Sequence, residues 1–244
     1  MINQINTNGR GEMVRKASRV VVAAAILIVS ATLLRPAPAL AADGQNLIDR
    51  ARITVQAMRQ DPSFHATDRL RQARAILIIP ELSKGGLLFF GGQGGAGVLM
   101  VKRPNGEWSD PAFYSVGGGT FGLQVGFQTA QMVFLVMSDR VAQKWLQNEV
   151  KFGTQDGVAV FSESTQHSDG KTSQGSDVVA WVRANGAYAG ITVEGTSISF
   201  DRGGNRNYYG REFSATDITL DGRAHKAGAD DLRRAASTTA PIRR

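Results

Sequence analysis

A-I-L-I-I-P-E-L-S-K-G-G-L-L-F-F-G-G-Q-G-G-A-G-V-L-M-V spans residues 75–101, and E-W-S-D-P-A-F-Y-S-V-G-G-G-T-F-G-L-Q-V-G spans residues 107–126. Apolar runs rich in Ile, Val, Leu and Phe are cut here by paired or tripled glycines. Runs that short, bounded that way, read as buried strands and not as helices. Residues 75–126 hold thirteen of the chain's 28 glycines. Glycine weakens a strand unless the backbone must bend, bulge or approach something closely. The block therefore predicts an α+β fold whose strongly curved, mostly antiparallel sheet is barrel-like and carries flanking helices.

Outward from the block, residues 1–41 read as a signal peptide. Arg10, Arg15, Lys16 and Arg19 precede an apolar run from Val20 to Leu34, and Ala39-Leu40-Ala41 supplies a small-x-small cleavage site. The run is short for a membrane span. The expectation is export by the general secretory route, to the periplasm or the medium, with cleavage near Ala41. An uncleaved anchor is the alternative. With no cysteine, the chain has neither disulfides nor a thiol for an N-terminal lipid. A mature domain of this size holds itself by its core.

The formal net charge of +7 sits in the two ends. Residues 42–222 carry 17 basic and 18 acidic side chains, whereas 223–244 carry six basic and two acidic. Nucleic-acid binding would place the basic face on the fold itself, so no nucleic-acid partner is expected. The organisation predicted is one domain over 42–222 and a disordered basic tail over 223–244.

Asp43 is a candidate cap for a helix to about Gln60, with Leu47, Ile48, Ala51, Val55 and Met58 on one face. That face suits either packing on the sheet or lying on a membrane. Thr67 is read as the cap of a shorter helix bearing Arg69, Arg71 and Arg74. A strand follows from Ala75 to Ile79, ended by Pro80. Pro104-Asn105-Gly106 reads as a turn that returns the chain towards Trp108. Another strand covers Met132 to Met137, and Ser138 is expected to cap a helix from Asp139 to about Phe152, with Gly153 as its C-terminal cap. Residues 162–177 read as a mobile polar loop. Further strands are expected at Val178–Val182, Ala187–Val193 and Ile198–Phe200.

Catalytic constellations are weak. Gly92-Gln93-Gly94-Gly95-Ala96-Gly97 matches a dinucleotide fingerprint, but strand-like residues follow it where a helix is needed. No serine sits in a nucleophile elbow. His65, His167 and His225 lie in loop or tail contexts, and His167 with Glu163 and Asp169 makes a poor metal set. Asp201-Arg202-Gly203-Gly204-Asn205 lacks calcium-loop spacing. The expectation is no enzyme, no cofactor and no metal. Surface physics remains: Arg69, Arg71, Arg74 and Lys84 bracket a strand beside Leu87-Leu88-Phe89-Phe90. Apolar residues rimmed by cations suit an anionic membrane surface, and a core strand is the plainer reading of Leu87–Phe90.

Eight ordered motifs then carry a resemblance: A-I-L-I-I-P from Ala75, K-G-G at Lys84–Gly86, the glycine run at Gly92–Leu99 and W-S-D-P-A-F at Trp108–Phe113. G-G-T-F-G-L-Q-V-G at Gly118–Gly126, K-F-G at Lys151–Gly153, G-A-Y-A-G-I-T-V-E-G at Gly186–Gly195 and N-Y-Y-G at Asn207–Gly210 complete it. Over about residues 45–220 the chain resembles the SYLF domain family, a lipid-binding module of bacterial exported and eukaryotic trafficking proteins, with fungal members that bind actin. Residues 162–177 depart from the family pattern, being longer and without its G-P-x-G turn. The resemblance implies binding of acidic phospholipid, with an N-terminal amphipathic helix implicated; together with the signal segment it gives the expectation of a non-catalytic lipid- or membrane-surface-binding protein of the cell envelope. The candidate lipid-binding residues are Arg50, Arg52, Arg59, Arg71, Arg74, Lys84, Leu87, Leu88, Phe89 and Phe90. Apolar side chains of the first helix would insert into the bilayer. The alternative is a structural or protein-partner-binding envelope protein of unknown partner, with an enzyme third.

Overall fold

The computed structural model describes residues 44–147, 150–151, 160–164, 177–185 and 196–237. Helix α1 (Gly44–Gln60), a 3-10 turn (Pro62–Phe64) and α2 (Ala66–Gln72) lead into β1 (Ala75–Val101) and β2 (Ala112–Val136). Then come α3 (Asp139–Gln147), β3 (Val150–Lys151), β4 (Val160–Ser164), β5 (Val178–Asn185) and β6 (Thr196–Phe200). Helices α4 (Arg202–Tyr209), α5 (Ala215–Thr219) and α6 (Asp230–Ala236) close the order.

Alternation decides the layers, because successive strand residues point to opposite faces. Leu77, Ile79, Leu99, Tyr114, Met132 and Phe134 pack on one face with Val141 and Trp145 of α3 and Ile218 of α5. Ile76, Ile78, Met100, Phe113, Val133 and Trp181 pack on the other with α1, α2 and α6. Both faces are covered, which is why A-I-L-I-I reads as an unbroken apolar run. The α+β class with flanking helices is as expected. The sheet is mostly antiparallel; among the described residues one pair, β4 with β5, is parallel. It is open: the order runs β3-β6-β2-β5-β4 with β1 on β2, and among the described residues no ladder joins β3 to β4.

The curvature lies in β1. It pairs with β2 from Ala75↔Val136 to Leu99↔Ala112, yet its own two ends also meet. The backbone N–H of Lys102 donates to the carbonyl of Arg74 at 2.8 Å. A Cβ on Gly97 would lie 2.8 Å from the Ile78 carbonyl oxygen, and one on Gly95 would lie 2.4 Å from that of Glu81. The meeting positions (74 with 102, 78 with 97, 81 with 95) move in opposite directions along the chain. Strand β1 therefore doubles back, and its second arm lies on its first. Only a residue without Cβ admits a backbone that close.

Several expected boundaries shift. Pro80 does not end the strand; it sits in a register shift between Ile79 and Leu82, where its missing N–H costs no ladder bond. Thr67 lies inside α2, whose N-cap is His65 in the left-handed region at φ 51°. Helix α3 is described to Gln147, and Val150–Lys151 already pair with β6 as a strand, so the chain is not helical to Phe152. Residues 162–164 belong to β4, alongside β5, and are not loop. The turn at 104–106 is present, with Gly106 at φ 84° and a Lys102↔Trp108 bridge. Asp43, Gly153, residues 165–176 and Ala187–Val193 fall outside the described residues, as do the signal segment and 238–244.

The expected disordered tail is the largest correction. Residues 223–237 fold: Asp230–Ala236 is helical, and Ala229, Leu232 and Ala236 are fully buried against the α1 side of the core. Alternating charge had masked a narrow apolar stripe. The domain therefore extends past residue 222.

Candidate binding surface

Helix α1 is docked. Leu47, Ile48, Ala51, Val55 and Met58 are each no more than 3% exposed and share a cluster with Ile76, Ile78, Val98 and Met100 of β1. Moving these four larger α1 side chains into a bilayer would strip the sheet face beneath them. That costs roughly 6–12 kcal/mol at about 1.5–3 kcal/mol per buried side chain. Insertion of the first helix is thereby overturned. The large apolar side chain left outside on α1 is Ile53.

The three candidate arginines of α1 point to separate partners. Arg50 Nη1 donates to Glu81 Oε2 at 3.1 Å, and Arg52 Nη1 to Gln56 Oε1 at 3.4 Å. Arg59 donates to the carbonyls of Ala235 and Ser237, at 2.9 and 2.6 Å, and burial holds its pKa below the ordinary value. It works as a strut between the first and last helices.

The junction of α2 with β1 gathers cations. Arg74 is held in the sheet corner, its N–H donating to Val136 O and its carbonyl accepting from Lys102 N. Its side chain and that of Arg71 are 54% and 65% exposed. Each faces one exposed carboxylate, Asp139 at 3.7 Å and Asp68 at 3.5 Å. Pairs of that kind contribute about 0–1 kcal/mol, so both guanidiniums are readily re-engaged. Lys102 Nζ donates to the carbonyls of Leu70 and Arg71 at the end of α2, the favourable pole for a cation. Burial, then repulsion from Arg74, lowers its pKa. Arg69 lies over the Phe64 ring at 4.8 Å. Lys102 was not legible as a member of this patch, because only the doubling of β1 brings it beside Arg74.

Lys84 does not join them. It stands about ten positions further along β1, roughly 30 Å of extended strand, and pairs across to Gln128. Leu87, Leu88 and Phe90 pair in the β1–β2 ladder opposite Val125, Gln124 and Phe121. The side chains of Leu87, Leu88, Phe89 and Phe90 lie outside the described residues.

The W-S-D-P motif clasps the C-terminal segment. Trp108 Nε1 donates to Ala236 O at 2.9 Å, and Tyr209 Oη to Pro111 O at 2.7 Å. Asp110, 1% exposed, accepts from Lys226 N at 3.2 Å and faces His225 Nδ1 at 3.3 Å and Arg233 Nη1 at 3.6 Å. Its partners are structural. Burial, followed by the Asp110 charge, drives the Tyr209 phenol upward in pKa. Asp201 proves to be the N-cap of α4, accepting from Gly204 N at 2.8 Å. Among the described residues no group of three or more His, Cys, Asp or Glu could hold a metal. None of their helices is long and apolar enough to cross a membrane.

Residues 117–239 match the family model described as Ysc84, Las17-binding protein actin regulator. The chain is 29% identical to Protein YSC84 of Saccharomyces cerevisiae, over 66% of this chain and 35% of that protein. It is 28% identical to LAS seventeen-binding protein 3 of the same yeast, over 67% of this chain and 36% of that one. With SH3 domain-containing YSC84-like protein 1 of Homo sapiens it shares 24% identity, over 67% and 48% of the two chains. The chain thus spans less than half the length of these relatives. No solved structure matches. The matched region runs to 239, in keeping with a C-terminal segment that belongs to the domain.

Proposed function

The chain belongs to the Ysc84 family, and on that footing we propose that it is a non-catalytic module that docks on acidic phospholipid surfaces. The observation that carries the reading is the crowding of Arg71, Arg74 and Lys102 at one corner of the fold, with, among the described residues, only exposed carboxylates opposite the arginines. Because α1 is docked, contact is electrostatic and made by the folded surface. Arg50 and Arg59 serve the fold. Each cation near an anionic surface contributes about 1 kcal/mol, so the patch gives a salt-sensitive, modest affinity. On the same proposal residues 1–41 direct export and are removed near Ala41, and the module works in the cell envelope; N-terminal sequencing of the mature protein tests this.

Sedimentation with phosphatidylglycerol and phosphatidylcholine vesicles, at low and high salt, tests the lipid reading. The protein is expected to pellet with the anionic vesicles at low salt only. Arg71→Ala with Arg74→Ala removes about 2 kcal/mol, roughly a 30-fold loss of partitioning. Equal pelleting with both lipids refutes the mechanism. A second reading has its own support, since a yeast relative is named for binding a protein partner. On that reading the same corner takes an acidic protein surface, and the vesicles leave the protein in the supernatant.

A further inference from the structure

Helix α2 is seven residues long, and the sequence from Ala66 to Arg74 contains no glycine to end it. So short a helix is marginal by itself, and its last carbonyls need partners from elsewhere. Ala73 N–H still reaches Arg69 O at 2.9 Å, but Arg74 N–H, which would have met Leu70 O, turns away to Val136 O at 2.7 Å. Ala73 is already extended, at φ −61° and ψ 139°. The carbonyls of Leu70 and Arg71 are therefore left beyond the helical ladder. Lys102 Nζ takes both, at 2.5 and 2.9 Å.

The donors of that ammonium are accounted for. A lysine ammonium carries three donors and no acceptor. Two are spent on the carbonyls, and the group also lies over the buried Trp108 ring, 4.9 Å from its centroid. To meet a headgroup, Nζ would have to abandon two carbonyls and the ring together. The main-chain N–H of the same residue donates to Arg74 O at 2.8 Å. Lys102 thus holds the main chain of both corner arginines, Arg71 through its ammonium and Arg74 through its amide, while their guanidiniums stay exposed.

We propose that Lys102 is the positioning residue of the cationic corner: it caps α2 and fixes Arg71 and Arg74 for contact with anionic headgroups, and does not touch the headgroups itself. The assignment rests on the docking reading above and divides the work within it. Two outward guanidiniums on one braced main chain are pre-organised, so less freedom is lost when they meet the surface. A lysine that was itself a contact would add its charge independently of its neighbours.

The test is partitioning onto phosphatidylglycerol vesicles at low salt, for the parent, Lys102→Met, Arg71→Ala/Arg74→Ala and the triple variant. One cation at an anionic surface contributes about 1 kcal/mol, roughly fivefold in partitioning. Lys102→Met is expected to weaken the parent by more than about fivefold, and to weaken the Arg71→Ala/Arg74→Ala background by no more than that. Equal factors in the two backgrounds identify Lys102 as one further contact and overturn the proposal, as does a Lys102→Met that binds like the parent. A parent that stays in the supernatant sinks the docking reading itself, and the proposal with it. The parent alone supplies a second measurement that does not depend on how the variants fold. Its lysines are labelled with an amine reagent, with and without the vesicles, and Lys102 is read by peptide mass mapping. Labelling at Lys102 is expected to be slow and equal in both; protection that appears only with vesicles overturns the proposal.

Discussion

Gly95→Ala tests the doubling of β1 directly. The new methyl would sit 2.4 Å from the Glu81 carbonyl oxygen and 3.4 Å from Leu82 Cα, and both neighbours are backbone. No side chain can swing aside, so the arms themselves must part. Forced overpacking costs about 1–3 kcal/mol, and a backbone neighbour puts this site at the upper end. Restricting the unfolded chain returns about 0.4–1 kcal/mol. The net expectation is a loss of about 2 kcal/mol, a fall in Tm of roughly 4–8 °C for a domain of this size. Gly119 is the control, since a Cβ there meets nothing within 4 Å, and Gly119→Ala should hold parental stability within about 0.5 kcal/mol. Urea unfolding followed by tryptophan fluorescence reads both, because Trp108, Trp145 and Trp181 are all buried. If Gly95→Ala proves as stable as Gly119→Ala, the two arms of β1 do not lie on each other.

Trp108→Phe keeps an aromatic ring, a smaller one, but removes the indole N–H that satisfies Ala236 O; it should cost about 1–3 kcal/mol and raise protease sensitivity after residue 223 before the rest of the chain is cut. Asp217 is held at about 2, against an ordinary 3.8, by the Ser214 side chain and backbone and by Arg223. A depressed folded value contributes stability above the unfolded pKa that is lost as pH falls through the folded one. Asp217→Asn should therefore flatten the acid limb of the stability profile between about 4 and 2 and change nothing in its slope near neutrality; an unaltered acid limb refutes the assignment. Ser214→Ala removes the other half of that capping box and should cost about 1 kcal/mol by chemical denaturation.

The layers were legible because A-I-L-I-I and M-V-F-L-V are continuous apolar runs of strand length, a pattern that only two covered faces explain. The need for close backbone approach was legible from glycine abundance, but not which strands meet: Gly95 and Glu81 belong to one strand, and no local pattern encodes a strand's contact with itself. Helix α6 escaped because its buried stripe is Ala229, Leu232 and Ala236, too small to outweigh four neighbouring charges. The spacing of three and four, with Asp230–Arg233 and Asp231–Arg234 pairs, was the available signal. The candidate arginines were chosen by type. Arg59 shows the weakness of that choice, because a guanidinium is equally suited to two carbonyls across a helix contact.

The strut from Arg59 to residues 235 and 237, together with Gln45 reaching the Gly228 carbonyl at 3.0 Å, ties the earliest described helix to the latest. On the ribosome, that layer stays unsealed until Asp230–Ala236 has emerged. Under the export proposed above, such a delay would help the chain through a narrow translocase, since premature compaction jams the passage.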